Sequence, residues 1–219
     1  MLRLLPRMRN PLRMTGAIIL AAGGSSRFGQ PKQLLQSRGK TLLRVMIDAV
    51  CEAGCSPIVV VIGSDSEKLH PELAHANVME VRNTNWRRGI GSSIRSGVQA
   101  LTEHAPDIEA ILLLVCDQPA VNARFIEHLI ATREATKKNV VASSYADTVG
   151  VPALFDRSLF KQLLSIGDEA GAKSIILQNP ERVVLFAFPE GAIDIDTWED
   201  WEKFNELGHS ERSEGFRTN

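Results

Sequence analysis

The sequence predicts an α/β protein with a mainly parallel central sheet covered by helices on both faces, three layers in all. Three observations carry this expectation. Short, uninterrupted apolar runs recur along the chain, the clearest being Ile111-Leu112-Leu113-Leu114-Val115. A strand that is apolar at every position is buried on both faces, as in parallel sheets. Between these runs lie segments with apolar residues at helical spacing, so strand and helix alternate. Finally, 219 residues, 44% hydrophobic and 23% charged, suffice for one large domain with a substantial core.

The elements follow in order. Residues 17–21 form an apolar strand that stops at Gly23-Gly24. Residues 41–53 carry Leu42, Leu43, Val45, Met46, Ala49 and Val50 at helical spacing, and Gly54 ends that helix. Residues 57–62 are a β-branched strand closed by Gly63, 65–75 a short helix and 78–82 a weak strand. Ile94, Val98 and Leu101 mark one face of a helix over 92–103. The central strand is 111–115; Asn122 caps a helix that runs to about Thr136, and 140–143 is again a strand. Residues 151–155 read as a short strand or turn, 156–165 as a helix and 167–171 as a loop. A strand over 183–188, a short segment over 193–196 and a helix over 197–207 complete the pattern. Residues 15–207 are thus expected to form a single domain, with 1–14 a basic leader and 208–219 a polar tail, both disordered.

Charge narrows the function. Lys+Arg 25 against Asp+Glu 26 gives a net of −1, which argues against a general nucleic-acid binder. Four of the basic residues (Arg3, Arg7, Arg9, Arg13) lie in the leader; without them 21 basic residues face 26 acidic ones, a net of −5. Pro6 and the arginines interrupt any secretory apolar core, and Met14 directly before the first strand suggests an upstream or mis-assigned start. No stretch of about 18 uncharged apolar residues exists, so no membrane helix is expected. The three cysteines, with Cys51 and Cys55 near one apolar helix, read as buried thiols of a reducing cytoplasm.

Ligands of parallel sheets bind beyond the carboxyl ends of the strands, which directs attention to the residues after Ala21, Ile62, Val115 and Ser143. After the first strand comes Ala22-Gly23-Gly24-Ser25-Ser26-Arg27-Phe28-Gly29-Gln30-Pro31-Lys32. Glycines let backbone N–H groups converge on an anion, and Arg27 and Lys32 add positive charge, as a polyphosphate site requires. It is not a P-loop: Gly24 and Gly29 have the spacing, but Gln30-Pro31 follows. The dinucleotide fingerprint is also missing. A glycine-rich turn with solvated charges remains the alternative. Asp117, in Cys116-Asp117-Gln118-Pro119, stands just past the central strand, where a carboxylate can hold Mg²⁺ together with substrate phosphates or simply cap a turn. In Asp194-Ile195-Asp196-Thr197 both aspartates fall on one side of an extended segment, so either is a second candidate carboxylate, or Asp196 is a helix cap. Gly89-Ile90-Gly91-Ser92-Ser93 opens a helix with free N–H donors and hydroxyls that can read the polar edge of a base.

These segments together resemble a known family. Leu20-Ala21-Ala22-Gly23-Gly24-Ser25-Ser26-Arg27-Phe28-Gly29-Gln30-Pro31-Lys32 is similar to the L-A-A-G-x-S-x-R-M-G-x-x-K motif of MobA/MocA-like nucleotidyltransferases, with Phe28 in place of the usual methionine. The similarity continues through Trp86 to Gly97, Cys116-Asp117-Gln118-Pro119, Gly150-Val151-Pro152-Ala153-Leu154-Phe155 and Asp194-Ile195-Asp196-Thr197, over about residues 17–204. Ala21-Ala22-Gly23 and the Cys-Asp-Gln-Pro run look most like the molybdenum cofactor cytidylyltransferase branch. Gly167-Asp168-Glu169-Ala170-Gly171-Ala172-Lys173 resembles G-D-x-G-A-[RK] with one extra residue, which leaves its register and the role of Lys173 open.

The resemblance implies a Rossmann-like nucleotidyltransferase fold and transfer of CMP from CTP to the terminal phosphate of molybdopterin, with release of pyrophosphate and with Mg²⁺ as cofactor. It implies that Arg27, Lys32 and Asp117 are catalytic. Leu20, Ala21, Ala22, Gly23, Gly24, Gly91, Ser92 and Ser93 would bind the nucleotide together with Arg27 and Lys32. Gln118, Gly150, Val151 and Pro152 would bind the acceptor, and Asp117 and Asp196 the metal. A molybdenum hydroxylase that receives the cofactor is a further partner the resemblance allows. Two rivals remain: a sister transferase with another nucleotide or phosphorylated acceptor, and a non-catalytic accessory protein that binds or inserts the cofactor.

Overall fold

In the computed structural model the described residues are 15–24, 28–37, 39–178, 180–193, 195 and 197–204. The expected basic leader, the whole of the expected polar tail and residues 205–207 of the expected domain therefore lie outside them. In chain order the elements are β1 (Thr15–Ala21), β2 (Gln36–Ser37), β3 (Lys40–Thr41), α1 (Leu42–Glu52), β4 (Ile58–Ile62), α2 (Ser66–Leu73), β5 (Met79–Arg82), α3 (Ile90–His104), β6 (Ala110–Val115), α4 (Ala123–Thr136), β7 (Val140–Tyr145), β8 (Thr148–Asp156), α5 (Phe160–Leu164), α6 (Lys173–Gln178) and β9 (Val183–Ala187). Helical residues 198–204, here α7, follow.

Seven strands form one sheet in the order β5-β4-β1-β6-β8-β7-β9. β6 lies at its centre, and β1 beside it is parallel to β4 on one side and to β6 on the other. All seven residues of β1 are buried, as its unbroken apolar run requires. β8 is the exception to the parallel pattern: it runs antiparallel to both β6 and β7, while β9 is parallel to β7.

Successive side chains of a strand point to opposite faces, and β1 feeds two cores accordingly. Ala17, Ile19 and Ala21 pack with Leu43, Met46 and Ile47 of α1 and Ile126 and Leu129 of α4. Ile18 and Leu20 pack with Ile94, Val98 and Leu101 of α3, Leu163 of α5 and Ile175 of α6. This is the expected three-layer arrangement. Helix starts are fixed locally: the Thr41 hydroxyl accepts the Arg44 N–H at 3.2 Å, and the Asn122 side chain accepts the Phe125 N–H at 3.0 Å.

Several elements differ from the sequence expectation. The expected short strand or turn over 151–155 is part of the nine-residue β8, joined to β7 by a tight turn in which Ala146 and Asp147 have φ of 45° and 58°. The expected helix over 156–165 divides into a 3-10 turn, capped by Asp156, and the short α5. Helix α3 starts two residues earlier than expected, at Ile90. The two-stranded ribbon β2–β3 and helix α6 carried no signal strong enough to be assigned from sequence.

Candidate active site

The carboxyl ends of β1 and β6 and the start of α3 enclose a cleft of about 350 Å³. From β1 the chain enters Ala22-Gly23-Gly24. The buried Gln33 side chain donates to the carbonyls of Ala21 (2.9 Å) and Gly23 (3.2 Å), tying the first turn of the glycine loop to the 3-10 turn that carries Lys32. Ser25, Ser26 and Arg27 lie outside the described residues. At the far end of the loop, Phe28 is buried and its ring sits 5.3 Å from that of Trp198 on α7. An aromatic ring thus fills the position where the motif has methionine.

Lys32 and Asp117 meet across the cleft. Lys32 Nζ donates to Asp117 Oδ2 at 2.6 Å and to the Ile195 carbonyl at 3.3 Å. The Ile195 N–H in turn donates to the Asp117 carbonyl at 3.1 Å. The side chains of the pair are 19% and 23% exposed, so solvent reaches both. Ile195 is fully buried; its neighbours Asp194 and Asp196, the expected second carboxylates, lie outside the described residues. Among the described residues no group of three or more His, Cys, Asp or Glu is arranged to hold a metal. Burial pushes the Cys116 thiol far up, and the Asp117 carboxylate beside it adds to the effect, so Cys116 stays protonated at neutral pH. Cys55, pushed up to about 12 by burial, is equally inert.

The opposite wall is the start of α3. Gly89 has φ of 124°, a conformation that favours glycine, and a Cβ there would collide with the Asp168 carbonyl. A Cβ on Gly91 would fall on the Gly167 carbonyl oxygen, and the Gly91 N–H donates to the Asp168 carbonyl at 2.8 Å. The loop over 167–171 therefore rests directly on the helix start. Asp168 fastens it, pairing with Arg95 and, at 2.7 Å, with Arg88. The hydrogen bond from Arg95 and the charge of Arg88 outweigh modest desolvation and hold the Asp168 carboxyl below its usual range.

A second cleft, of about 300 Å³, adjoins the first and shares Leu20, Ile90 and Val115 with it. Its other walls include Tyr145, Thr148–Val151 of β8 and Gly171–Lys173. Lys173 Nζ reaches Thr148 Oγ1 across the mouth. The walls are mostly aliphatic, with few polar groups.

Most of the residues expected from sequence gather here. Leu20, Ala22, Gly23, Gly24, Lys32, Ser93 and Asp117 line the first cleft. Ala21, Gly91 and Ser92 are buried immediately behind it. Gly150 and Val151 line the second cleft, with Pro152 buried next to them. Gln118 is 2% exposed; it reaches the second cleft through Tyr145, donating to the Tyr145 hydroxyl at 3.3 Å and to the Gly191 carbonyl at 3.2 Å. The Tyr145 hydroxyl donates onward to the Val151 carbonyl at 3.1 Å. Sequence reasoning missed Asn83, Gln33, Tyr145 and the Asp168–Arg95 contact. Each is a long-range pairing for which the sequence carries no spacing signal.

A lysine and a carboxylate at the open end of a parallel sheet, facing a helix start, can neutralise phosphate groups and hold a divalent cation. The comparisons agree with that chemistry. Residues 17–183 match the MobA-like NTP transferase domain, and the chain belongs to this family of nucleotidyltransferases. It is 29% identical over 194 residues to nicotine blue oxidoreductase of Paenarthrobacter nicotinovorans, covering 83% of this chain and 92% of that one. It is 26% identical over 196 residues to the molybdenum cofactor cytidylyltransferase of Escherichia coli, covering 87% and 97%. Among solved structures, Rv0371c of Mycobacterium tuberculosis superposes with a TM-score of 0.73 at 28% identity, covering 89% of this chain and 98% of that one. Rv0371c has also been solved in complex with manganese.

Proposed function

We propose that this protein transfers CMP from CTP to the terminal phosphate of molybdopterin and releases pyrophosphate. The observation that carries the reading is the Lys32–Asp117 pair at the head of the parallel sheet, with a second cleft directly alongside. The glycine turn after β1 and the start of α3 face each other as a nucleotide site would require. The adjoining cleft offers a place for the acceptor, with Gly150 and Val151 in its wall and Lys173 at its mouth.

In this reading an oxygen of the acceptor phosphate attacks the α-phosphorus of CTP in line. A new P–O bond forms, the bond from the α-phosphorus to the bridging oxygen breaks, and pyrophosphate leaves with the electron pair. The attacking oxygen is already anionic near neutral pH, so no side chain has to remove a proton. Catalysis rests on positioning and on charge neutralisation. Lys32 exchanges its contact with Asp117 for the triphosphate, joined by Arg27. The Asp117 carboxylate is a hard oxygen donor of the kind Mg²⁺ takes alongside substrate phosphates, and Asp196, next in the chain to the anchored Ile195, would be the second donor. When bound, Mg²⁺ neutralises phosphate charge and orients the leaving group.

We assign this activity to residues 15–207 acting as one domain, in the cytoplasm, with a molybdenum hydroxylase as the protein that receives the product. Cys55 and Cys116 are buried free thiols, which supports the compartment, whereas Cys51 is exposed, against the expectation of three buried thiols. No described helix is long and apolar enough to cross a membrane. The similarity to nicotine blue oxidoreductase favours one other reading, a redox reaction in the same clefts.

Pyrophosphate release tests the proposal, measured with Mg²⁺ and CTP, GTP, ATP or UTP, with and without molybdenum-loaded molybdopterin. Release that requires both CTP and the acceptor is expected. No release with any nucleotide, or equal turnover of GTP, would overturn it.

A further inference from the structure

We infer that Asn83 sets the hydrogen-bonding polarity of the nucleotide cleft, fixing the Ser93 hydroxyl as a proton donor toward the base. This inference rests on the nucleotide reading above and adds a positioning residue to it. Asn83 follows β5 directly, and its N–H extends the sheet by donating to the Ile62 carbonyl at 2.8 Å. Its side chain is buried, 3% exposed, between the sheet and the start of α3.

The orientation of the amide follows from its surroundings. Asn83 Oδ1 accepts the Asn85 N–H at 2.9 Å, a backbone donor that cannot change its role. The other amide atom is therefore the nitrogen, and the assignment does not depend on an arbitrary choice between oxygen and nitrogen. Nδ2 has two protons, and two serine oxygens stand within reach: Ser92 Oγ at 2.8 Å and Ser93 Oγ at 2.9 Å. Both hydroxyl oxygens accept from Asn83.

The two serines then diverge. Ser92 gives its own proton to the Gly89 carbonyl at 2.8 Å, with the Asn85 carbonyl at 3.1 Å as a second acceptor, so it is satisfied within the protein. For the Ser93 proton the described residues provide no acceptor. Ser93 is 4% exposed and lines the cleft together with Ile90 and Asp117. A hydroxyl this buried, with its oxygen already engaged, completes its hydrogen bonding by donating into the cleft. The ligand must present an acceptor at that point, a ring nitrogen or carbonyl of the kind found on the N3/O2 edge of a pyrimidine. A ligand with only an amino group there would leave the Ser93 proton unpaired. One buried amide thus selects the ligand atom through a serine that sequence motifs alone would leave free to rotate.

Asn83→Asp is the decisive variant. It keeps the shape and the bond from Asn85, but its carboxylate accepts from Ser93 and turns that proton away from the cleft. Calorimetric titration with Mg²⁺ and two probes, CTP and base-free tripolyphosphate, separates recognition from folding. Asn83→Asp and Ser93→Ala are each expected to weaken CTP roughly 10- to 100-fold and leave tripolyphosphate unchanged. In the double variant the second substitution adds almost nothing, because both remove the same donor. CTP affinity retained in Asn83→Asp, equal losses for both probes, or fully additive losses would overturn the inference. Should Asn83→Asp not melt cooperatively, Asn83→Ser, which removes the Nδ2 donor with a smaller polar side chain, takes its place against Ser93→Ala, with the same selective loss of CTP expected and an unchanged CTP affinity overturning the role of Asn83. A wild-type protein that binds no nucleoside triphosphate overturns the nucleotide reading together with this one, whereas normal wild-type binding with unaffected variants overturns the roles of Asn83 and Ser93 and leaves the nucleotide reading standing.

Discussion

Lys32 and Asp117 occupy a middle ground between a surface ion pair and a buried one. About a fifth of each side chain is exposed, so solvent screens their attraction and the pair adds little to stability. That leaves both groups available to exchange partners when a phosphorylated ligand arrives. Replacing Lys32 by Ala should leave the melting temperature close to wild type. It should lower kcat for pyrophosphate release by about 10²- to 10³-fold, the usual cost of losing one pre-placed electrostatic group. Parallel calorimetry and turnover measurements check this, and near-normal turnover would remove Lys32 from the mechanism. Both residues were legible in sequence because each follows a glycine-rich turn or a buried strand at the ligand end of the sheet. Asn83 and Gln33 were not. An amide shows its purpose only through partners, and those of Asn83 lie nine and ten residues away on another element.

Elements show the same division. Helices α1, α3 and α4 were legible because their apolar spacing and capping residues are local. Strand β8 was not assigned with its antiparallel direction, because its direction depends on the turn before it. The favoured sequences for such a two-residue turn are Asn-Gly and Asp-Gly, whereas here Ala146-Asp147 takes the positive φ values. Helix α3 also illustrates two competing effects. Alanine is the better helix former than glycine by about 1 kcal/mol. At Gly97, however, a Cβ would stand 2.6 Å from Ile18 Cγ2 and 2.9 Å from Val61 Cγ2, both in the fully buried sheet. Overpacking costs about 1–3 kcal/mol and should win. Gly97→Ala is therefore expected to lower the urea midpoint, and a raised midpoint would mean that the sheet yields more easily than its packing suggests.

The loop over 167–171 makes a second prediction at this scale. Asp168 is held below its usual pKa of 3.8, chiefly by the hydrogen bond from Arg95. A carboxyl with a depressed folded value contributes stability that is fully present above the unfolded value and is lost as pH falls through the folded one. Hydrogen exchange at the Gly91 amide, which donates to Asp168, should thus stay protected above about pH 4 and lose protection below it. Asp168→Asn should weaken protection at neutral pH and abolish the pH dependence.

At the scale of the whole molecule, the unbroken apolar strands made the parallel sheet and its two helical layers legible. The order of the strands was not, since it depends on which crossovers pack, and neither was the pairing of β8 between β6 and β7. That pairing matters because it brings Val149, Gly150 and Val151 beside the head of β1 and so creates the second cleft. Where the two clefts meet stands Ile90, a large aliphatic side chain left 43% exposed at the first turn of α3. If nucleotide and acceptor occupy the two clefts, this one apolar side chain would touch both. A base settling against Ile90 would convert exposed hydrocarbon into part of the neighbouring wall. On the proposed function, the reaction then has a compulsory order: nucleotide first, acceptor second, pyrophosphate released only from the ternary complex. Initial-rate plots should intersect, and the acceptor should bind measurably only when a non-hydrolysable CTP analogue is already in place.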